Sequence, residues 1–225
     1  MDSGEYTISF YKMLRSHGDK DRAKMQTAYM KNKFAFVGLT MKERRDLQKA
    51  FEKEHGSPSG ENFRDIVYLL WNIDLRDCQM SALDIMVKSK KYYREEDIKL
   101  IEYCITQKSW WDTVDMLASH CAGSWFQKYP ERIAEVTGKW MDSGNMWLQR
   151  TALLFQLKYK ADTDTALLSD YIVRLTSHED FFIRKAIGWI LREYGKTNPE
   201  WVVEFVARTP MSDLSRKEAL RRIKA

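Results

Sequence analysis

Apolar residues recur along nearly the whole chain at positions i, i+3, i+4 and i+7, the spacing that places them on one face of an α-helix. No sustained alternation of period two and no Asn-Gly or Asp-Gly hairpin turn occurs. The pattern predicts helices near residues 5–16, 19–32, 41–55, 61–72, 75–90, 95–106, 110–121, 130–142, 145–160, 163–176, 181–194, 198–208 and 215–224. The sequence therefore predicts an all-α fold.

Three of the predicted helices begin with capping signals. Thr40–Glu43 and Ser215–Glu218 both have the capping-box pattern, in which a hydroxyl and a carboxylate bind the first free N–H groups of a helix. Asn198–Pro199 is typical of an N-cap followed by proline at the first helical position. These signals support the predicted helix starts.

The helices also repeat in sequence. The segment Trp147–Tyr159 resembles Phe182–Tyr194, which lies 35 residues further along, and Gln79–Leu83 matches Gln149–Leu153 at twice that spacing. A period of this size with two helices per unit is typical of an α-solenoid, in which neighbouring helix pairs bury each other's apolar faces. A simple four-helix bundle is the alternative, and the number of predicted helices disfavours it.

The period predicts which residues share a surface, because positions 35 residues apart occupy equivalent places on successive repeats. One such row consists of Met80, Asp115, Arg150 and Lys185. One helical turn away on the same face are Trp111 and Trp189, and Lys158 lies two turns beyond Arg150.

Each of these residues also has an ordinary structural interpretation. A tryptophan at helical spacing most often belongs to the core, and an aspartate beside an arginine is most often a structural ion pair. Charged side chains are costly to bury, however, so a row of them among indoles indicates a groove rather than a core. We therefore expect a binding site on the concave face of the solenoid.

Composition narrows the class of protein. The chain has 37 Lys+Arg and 32 Asp+Glu, a net charge of +5 that permits a polyanionic partner without requiring one. Only 10 Gly and 4 Pro argue against a turn-rich β-fold. No apolar run is long enough to span a membrane, and the first residues do not resemble a signal peptide. We expect a single domain over residues 1–225, located in the cytoplasm.

Several kinds of site are absent from the sequence. The three cysteines form no CxxC pair, and the four histidines lack metal-ligand spacing. No GxSxG, Walker or GxGxxG motif occurs. We therefore expect neither a metal nor a cofactor. The basic last segment, Ser215–Ala225, is the one candidate for a membrane-surface helix, and a solvated terminal cap is the simpler interpretation.

Several segments together resemble one family. They are YMKNKF at Tyr29–Phe34, KSWWDTVD at Lys108–Asp115, WLQR at Trp147–Arg150, FQLKYK at Phe155–Lys160 and AIGWILREY at Ala186–Tyr194. The combination closely resembles the AlkD family of alkylpurine DNA glycosylases, HEAT-like-repeat proteins of bacterial base-excision repair. The resemblance covers the chain from about Phe10 onward and is far more specific than any single motif.

The resemblance implies an activity and a set of roles. The family hydrolyses the N-glycosidic bond of cationic N3- and N7-alkylated purines, such as 3-methyladenine and 7-methylguanine, in duplex DNA. It leaves an abasic site and does not flip the base. The matching positions imply that Asp115 is the catalytic carboxylate, that Trp111 and Trp189 flank the deoxyribose, and that Arg150 serves the site and the neighbouring phosphate.

The remaining matches concern DNA binding. Tyr29, Lys158 and Arg192 match positions that contact the DNA backbone around the lesion, and Lys185 joins them as the next member of the predicted row. We expect a monomer that binds double-stranded DNA containing alkylated purines. Two alternatives stay open: a catalytically inactive HEAT-like-repeat protein that binds branched or distorted DNA, and a scaffold that binds proteins.

Overall fold

The regular elements of the protein are helices throughout the part of the chain that the computed structural model describes, residues 1–60 and 62–223. The α-helices are α1 (Ser3–Ser16), α2 (Lys20–Tyr29), α3 (Met41–His55), α4 (Asn62–Asn72), α5 (Arg76–Lys88), α6 (Ile98–Thr106), α7 (Trp111–Met116), α8 (Gly123–Lys128), α9 (Ile133–Asp142), α10 (Met146–Leu154), α11 (Thr165–Leu175), α12 (Phe181–Tyr194), α13 (Pro199–Arg208) and α14 (Asp213–Leu220). Short 3-10 turns occur at Lys90–Tyr92, Glu95–Asp97, Pro130–Arg132 and Lys160–Asp162. The all-α prediction is confirmed.

Two predicted helices differ from the observed ones. The helix predicted at 110–121 is α-helical only to Met116 and continues as a π-helical segment, Leu117–Ala122, before α8. The helix predicted at 145–160 ends at Leu154. Beyond it, the Gln156 side chain accepts a 2.7 Å hydrogen bond from the Asp164 backbone N–H. Such a bond between a side chain and the backbone competes with continued helix. The predicted ends at Glu61 and Lys224 lie outside the described residues.

The capping signals were correct in two cases of three. Thr40 and Glu43 form the predicted capping box, and Asn198 caps α13 with proline at its start. The box predicted at Ser215–Glu218 is wrong, because Ser212 is the N-cap and accepts from the Ser215 N–H at 3.1 Å. Glu218 is thereby left for other partners.

The described residues fall into two compact units, Met1–Leu100 and Ile101–Ala225. In the first unit, α1 packs on α3 and α4, and α4 packs on α5. Tyr6 and Phe10 of α1 both contact the Phe51 ring, with centroids 4.9 Å and 5.2 Å away. The buried Arg44 guanidinium lies 2.7 Å from the Asp84 carboxylate, so α3 is tied to α5 by charge as well as by apolar packing.

In the second unit, α10 contacts α7, α9, α11 and α12, and α12 packs along α14. The core includes Phe126, whose ring centroid lies 5.5 Å from that of Trp140 and 4.8 Å from that of Phe155. Trp147 and Phe182, aligned by the 35-residue period, pack against each other with centroids 5.2 Å apart. The prediction of helical repeats is confirmed, whereas the single domain and the concave face stay predictions.

None of the described helices combines the length and the apolar character that a membrane span requires.

Candidate functional site

One cavity of about 350 Å³ in the second unit brings together most of the predicted site residues. Its lining includes Trp111, Asp115, Arg150, Lys185, Trp189 and Arg192. These side chains come from α7, α10 and α12, so three consecutive steps of the repeat contribute to one site. The co-location that the 35-residue row predicted is therefore present for Asp115, Arg150 and Lys185.

Asp115 and Arg150 form a bidentate ion pair. The Arg150 Nε lies 2.7 Å from Asp115 Oδ1, and Nη2 lies 2.9 Å from Oδ2. The remaining guanidinium nitrogen, Nη1, donates to the Phe182 carbonyl. Only 5% of the Arg150 side chain and 15% of the Asp115 side chain are exposed. The fork geometry of a guanidinium matches a carboxylate, so the direction of the Asp115 carboxylate is fixed.

The backbone around Asp115 is unusual for a helix. Asp115 lies one turn into α7, and the π-helical segment begins two residues later at Leu117. The Ser119 hydroxyl donates to the Asp115 carbonyl at 2.7 Å. Single π-helical turns inside α-helices occur frequently at functional sites. Apolar spacing in so short a segment does not distinguish a single π-turn from an α-turn, so the periodicity of the sequence did not indicate it.

Burial is the main influence on the charge of Asp115. It raises the pKa of the carboxyl above its ordinary value of 3.8, because removal from water disfavours the charged form. Hydrogen bonds and charge from Arg150 lower the pKa, and the nearby Asp112 raises it. The site thus holds a carboxylate that is more basic than a surface aspartate.

The two tryptophans of the cavity differ from the core tryptophans. Trp111 and Trp189 are half-buried, whereas Trp71 and Trp125 are fully buried. An indole that is supported from behind and open in front can present its ring face to a ligand. Trp111 and Trp189 are therefore not fully buried core residues, and their role in the site stays a prediction.

The cavity is also lined by three residues that were not predicted from the sequence: Phe181, Phe182 and Glu218. Phe181 is 57% exposed, and the Phe182 ring packs on Trp110 with a centroid distance of 5.0 Å. The sequence could have indicated Phe182 as a site residue, since the 35-residue period aligns it with Trp147. It could not have indicated Glu218, because the spacing of Glu218 from Ser215 suggested a capping box at the start of a helix.

On the basic side of the cavity, Lys185 and Arg192 both pair with the Glu218 carboxylate. The Lys185 Nζ lies 2.6 Å from Glu218 Oε2, and the Arg192 guanidinium contacts Glu218 Oε1. Burial and the neighbouring charges of Arg192, Arg221 and Arg150 lower the pKa of Lys185. Two cations thus share one carboxylate at the cavity wall, each through a different oxygen.

The two remaining predicted residues lie elsewhere. Lys158 is exposed, but it lies beyond the end of α10, so the argument that it continues the helical face of Arg150 is wrong. Tyr29 is the last residue of α2, in the first unit, and is 69% exposed. Roles in DNA binding stay predictions for both residues, as do the roles of the cavity residues.

The residues that could hold a metal are not grouped. Among the described residues, no three His, Cys, Asp or Glu side chains are placed together as ligands would be. The three cysteines are buried and reduced, and burial raises the pKa of the Cys104 thiol well above its ordinary value. A buried thiol in this state is a poor nucleophile.

Comparison with known proteins gives a consistent result. No curated protein matches the chain significantly. Among solved structures, a predicted DNA alkylation repair enzyme from Enterococcus faecalis superposes with a TM-score of 0.85 at 32% sequence identity. That match covers 92% of this chain and 98% of the other. Residues 11–223 match the family described as DNA alkylation repair enzyme. The chain therefore belongs to the DNA alkylation repair enzyme family.

Proposed function

We propose that the protein is a DNA glycosylase that hydrolyses the N-glycosidic bond of cationic N3- and N7-alkylated purines in duplex DNA. The observation that carries the proposal is the cavity that the Asp115 carboxylate lines together with two half-buried indoles, Trp111 and Trp189. Membership of a DNA alkylation repair family supports the DNA substrate.

The chemistry requires few groups from the protein. An alkylated purine such as 7-methylguanine carries a positive charge, so the electrons of the broken C1′–N bond neutralise the base, and no general acid is required. Positive charge develops on the deoxyribose as the bond breaks. Groups that stabilise this charge lower the barrier most effectively when they are already in place. No metal or cofactor is needed for such a step.

Asp115 is the group that stabilises the sugar cation. Its carboxylate is negative, is shielded from water and points in a fixed direction because Arg150 binds both oxygens. Each carboxylate oxygen keeps a second lone pair, which can accept a hydrogen bond from the attacking water. The water oxygen bonds to C1′, and its proton passes to the carboxylate or to solvent. The raised pKa of Asp115 favours that transfer.

The aromatic and basic side chains bind the substrate. The faces of Trp111 and Trp189 attract the cationic sugar, and Lys185 and Arg192 contact phosphates beside the lesion. Tyr29 and Lys158 add backbone contacts away from the lesion. Since the cavity is open at one side and the backbone is held, the lesion can react without being flipped into a pocket. The protein acts as a monomer in the cytoplasm.

The experiment that tests this proposal is release of the modified base from a duplex with a single 7-methylguanine, measured with excess protein. The wild type should release it faster than the spontaneous reaction. Asp115→Asn should bind the duplex and lose at least about 100-fold in rate, the usual effect of removing one preorganised electrostatic group. The Asp142→Asn variant, which removes an exposed carboxylate paired with Arg174, is the matched control.

The alternative is a member that binds distorted DNA without cleaving the glycosidic bond. One observation favours it: Arg150 occupies both oxygens of Asp115, which weakens the carboxylate as a partner for the sugar cation. Under this alternative, the wild type and Asp115→Asn would bind a branched duplex equally, and neither would release 7-methylguanine or 3-methyladenine. That result would overturn the glycosylase proposal.

A further inference from the structure

Glu218 is the only carboxylate besides Asp115 in the cavity wall, as far as the described residues show, and both its oxygens are used. Oε2 lies 2.6 Å from the Lys185 ammonium, and Oε1 contacts the Arg192 guanidinium. Lys185 and Arg192 are seven residues apart on α12, two turns along one face. Without a common partner, the charged ends of the two side chains would be free to separate. A single carboxylate from α14 bridges them.

The position of α14 is fixed independently of these charges. A Cβ added at Gly188 would lie 2.5 Å from the Glu218 Cβ and 2.8 Å from the Ser215 carbonyl oxygen, so α12 and α14 approach as closely as glycine allows. The Ser215 hydroxyl donates to the Arg184 carbonyl at 2.9 Å. The backbone that carries Glu218 is therefore held directly against the helix that carries both cations.

The three side chains differ in exposure. Glu218 is 8% exposed, whereas Arg192 is 19% and Lys185 35% exposed. The carboxylate is thus the most buried member of the group, and the cations are the members that solvent or a ligand can reach. Lys185 and Arg192 together carry one more charge than Glu218 neutralises. The nearby Arg221 and Arg222 add positive potential, so the group suits an anion such as a phosphodiester.

We propose that Glu218 is a positioning residue that holds Lys185 and Arg192 side by side as a subsite for one phosphate of the DNA backbone, an inference that rests on the proposed function. The buried carboxylate orients the two donors before DNA arrives. The phosphate then binds on their outer side, and Glu218 itself does not touch the DNA.

The first test measures binding and does not depend on catalysis. Affinity for an undamaged duplex is measured at several salt concentrations for four proteins. They are the wild type, Lys185→Ala, Glu218→Gln and the double variant. Asp213→Asn is the matched control, because it removes one exposed carboxylate from the same helix. The measured quantity is the slope of the logarithm of the binding constant against the logarithm of the salt concentration. When Lys185→Ala is added to the wild type or to the control, this slope should decrease by about one, the contribution of one phosphate contact. In Glu218→Gln, the reduction should be less than half as large.

The second test measures the rate of 7-methylguanine release at saturating protein. Glu218→Gln should bind undamaged DNA at least as tightly as the wild type, because a negative charge is lost, yet react about tenfold more slowly, because the backbone beside the lesion is misplaced. A merely structural role would lower the melting temperature and leave the effect of Lys185→Ala unchanged. If Glu218→Gln melts below the assay temperature, Glu218→Asp replaces it, since the shorter carboxylate cannot bridge both cations.

The two proposals can fail separately. An equal loss from Lys185→Ala in the wild type and in the Glu218 variant overturns the positioning role, even if the protein releases the base. A wild type that releases no base, but in which Glu218 and Lys185 are coupled in binding, overturns the glycosylase activity and leaves the phosphate subsite standing.

Discussion

Gly188 of α12 lies so close to Glu218 of α14 that a methyl group added at Gly188 would come within 2.5 Å of the Glu218 Cβ. The Gly188→Ala variant should therefore be destabilised by about 1–3 kcal/mol, the usual effect of overpacking a tight contact. Gly138 lies inside α9 with no atom within 4 Å of an added Cβ. Gly138→Ala should instead stabilise the protein by about 0.5–1 kcal/mol. Thermal melting of both variants measures the contrast, which equal melting temperatures would contradict.

Removal of Arg150 should be far more damaging than removal of an exposed arginine. Arg150→Gln leaves the largely buried Asp115 carboxylate without its partner. The free energy of unfolding should therefore fall by about 3–5 kcal/mol, as it does for other buried pairs. The control is Arg174, whose pair with Asp142 bridges different helices but is well exposed. Arg174→Gln should lose less than about 1 kcal/mol. Similar shifts in melting temperature for both variants would show that the Asp115 pair is not held as described.

The rate of base release should fall at acid pH with a midpoint above 3.8, the ordinary pKa of aspartate. The reason is that burial raises the pKa of Asp115, and only the ionised form stabilises the sugar cation. Activity is thus present above this pKa and lost as the pH falls through it. The measurement is a pH profile of single-turnover rates, corrected for spontaneous depurination.

Arg150 lowers the pKa of Asp115. In Arg150→Gln, the acid limb of the same profile should therefore move to higher pH. An acid limb that stays in place in this variant would mean that another group controls the profile.

Trp189→Phe should reduce the rate of base release while leaving DNA affinity within about twofold. A cation–π contact with tryptophan contributes about 1–2 kcal/mol in a desolvated site, and the smaller ring of phenylalanine provides only part of it. The matched control is Trp201→Phe, since Trp201 is also half-buried but stacks on Phe205 outside the cavity. Equal rates for the two variants would argue against a role for the Trp189 face.

The sequence predicted that Asp115 and Arg150 share one row of the repeat, and the two side chains form an ion pair across 35 residues. The same interval relates Trp147 to Phe182, whose rings pack together. Equivalent positions on adjacent repeats become neighbours when the helices stack. The period carries this information even when each motif is short.

Contacts that depend on backbone detail could not be predicted. Glu218 follows Ser215 at capping-box spacing, and only the actual N-cap at Ser212 releases its carboxylate toward Lys185. α10 ends at Leu154, two residues before Gln156 binds the Asp164 backbone, and apolar periodicity encodes neither feature. Local patterns fail where a side chain that could bind its own helix end binds a group distant in sequence instead.

The π-helical segment Leu117–Ala122 determines more than local geometry. A π-turn accommodates one more residue than an α-turn, and each residue of an α-helix advances by about 100° around the axis. Deletion of a single residue from this segment would restore an α-helix and keep α8 in place. It would also rotate Trp111 and Asp115 by about a quarter turn, away from Arg150. The number of residues between Asp115 and Gly123 therefore determines whether the Asp115 carboxylate faces Arg150.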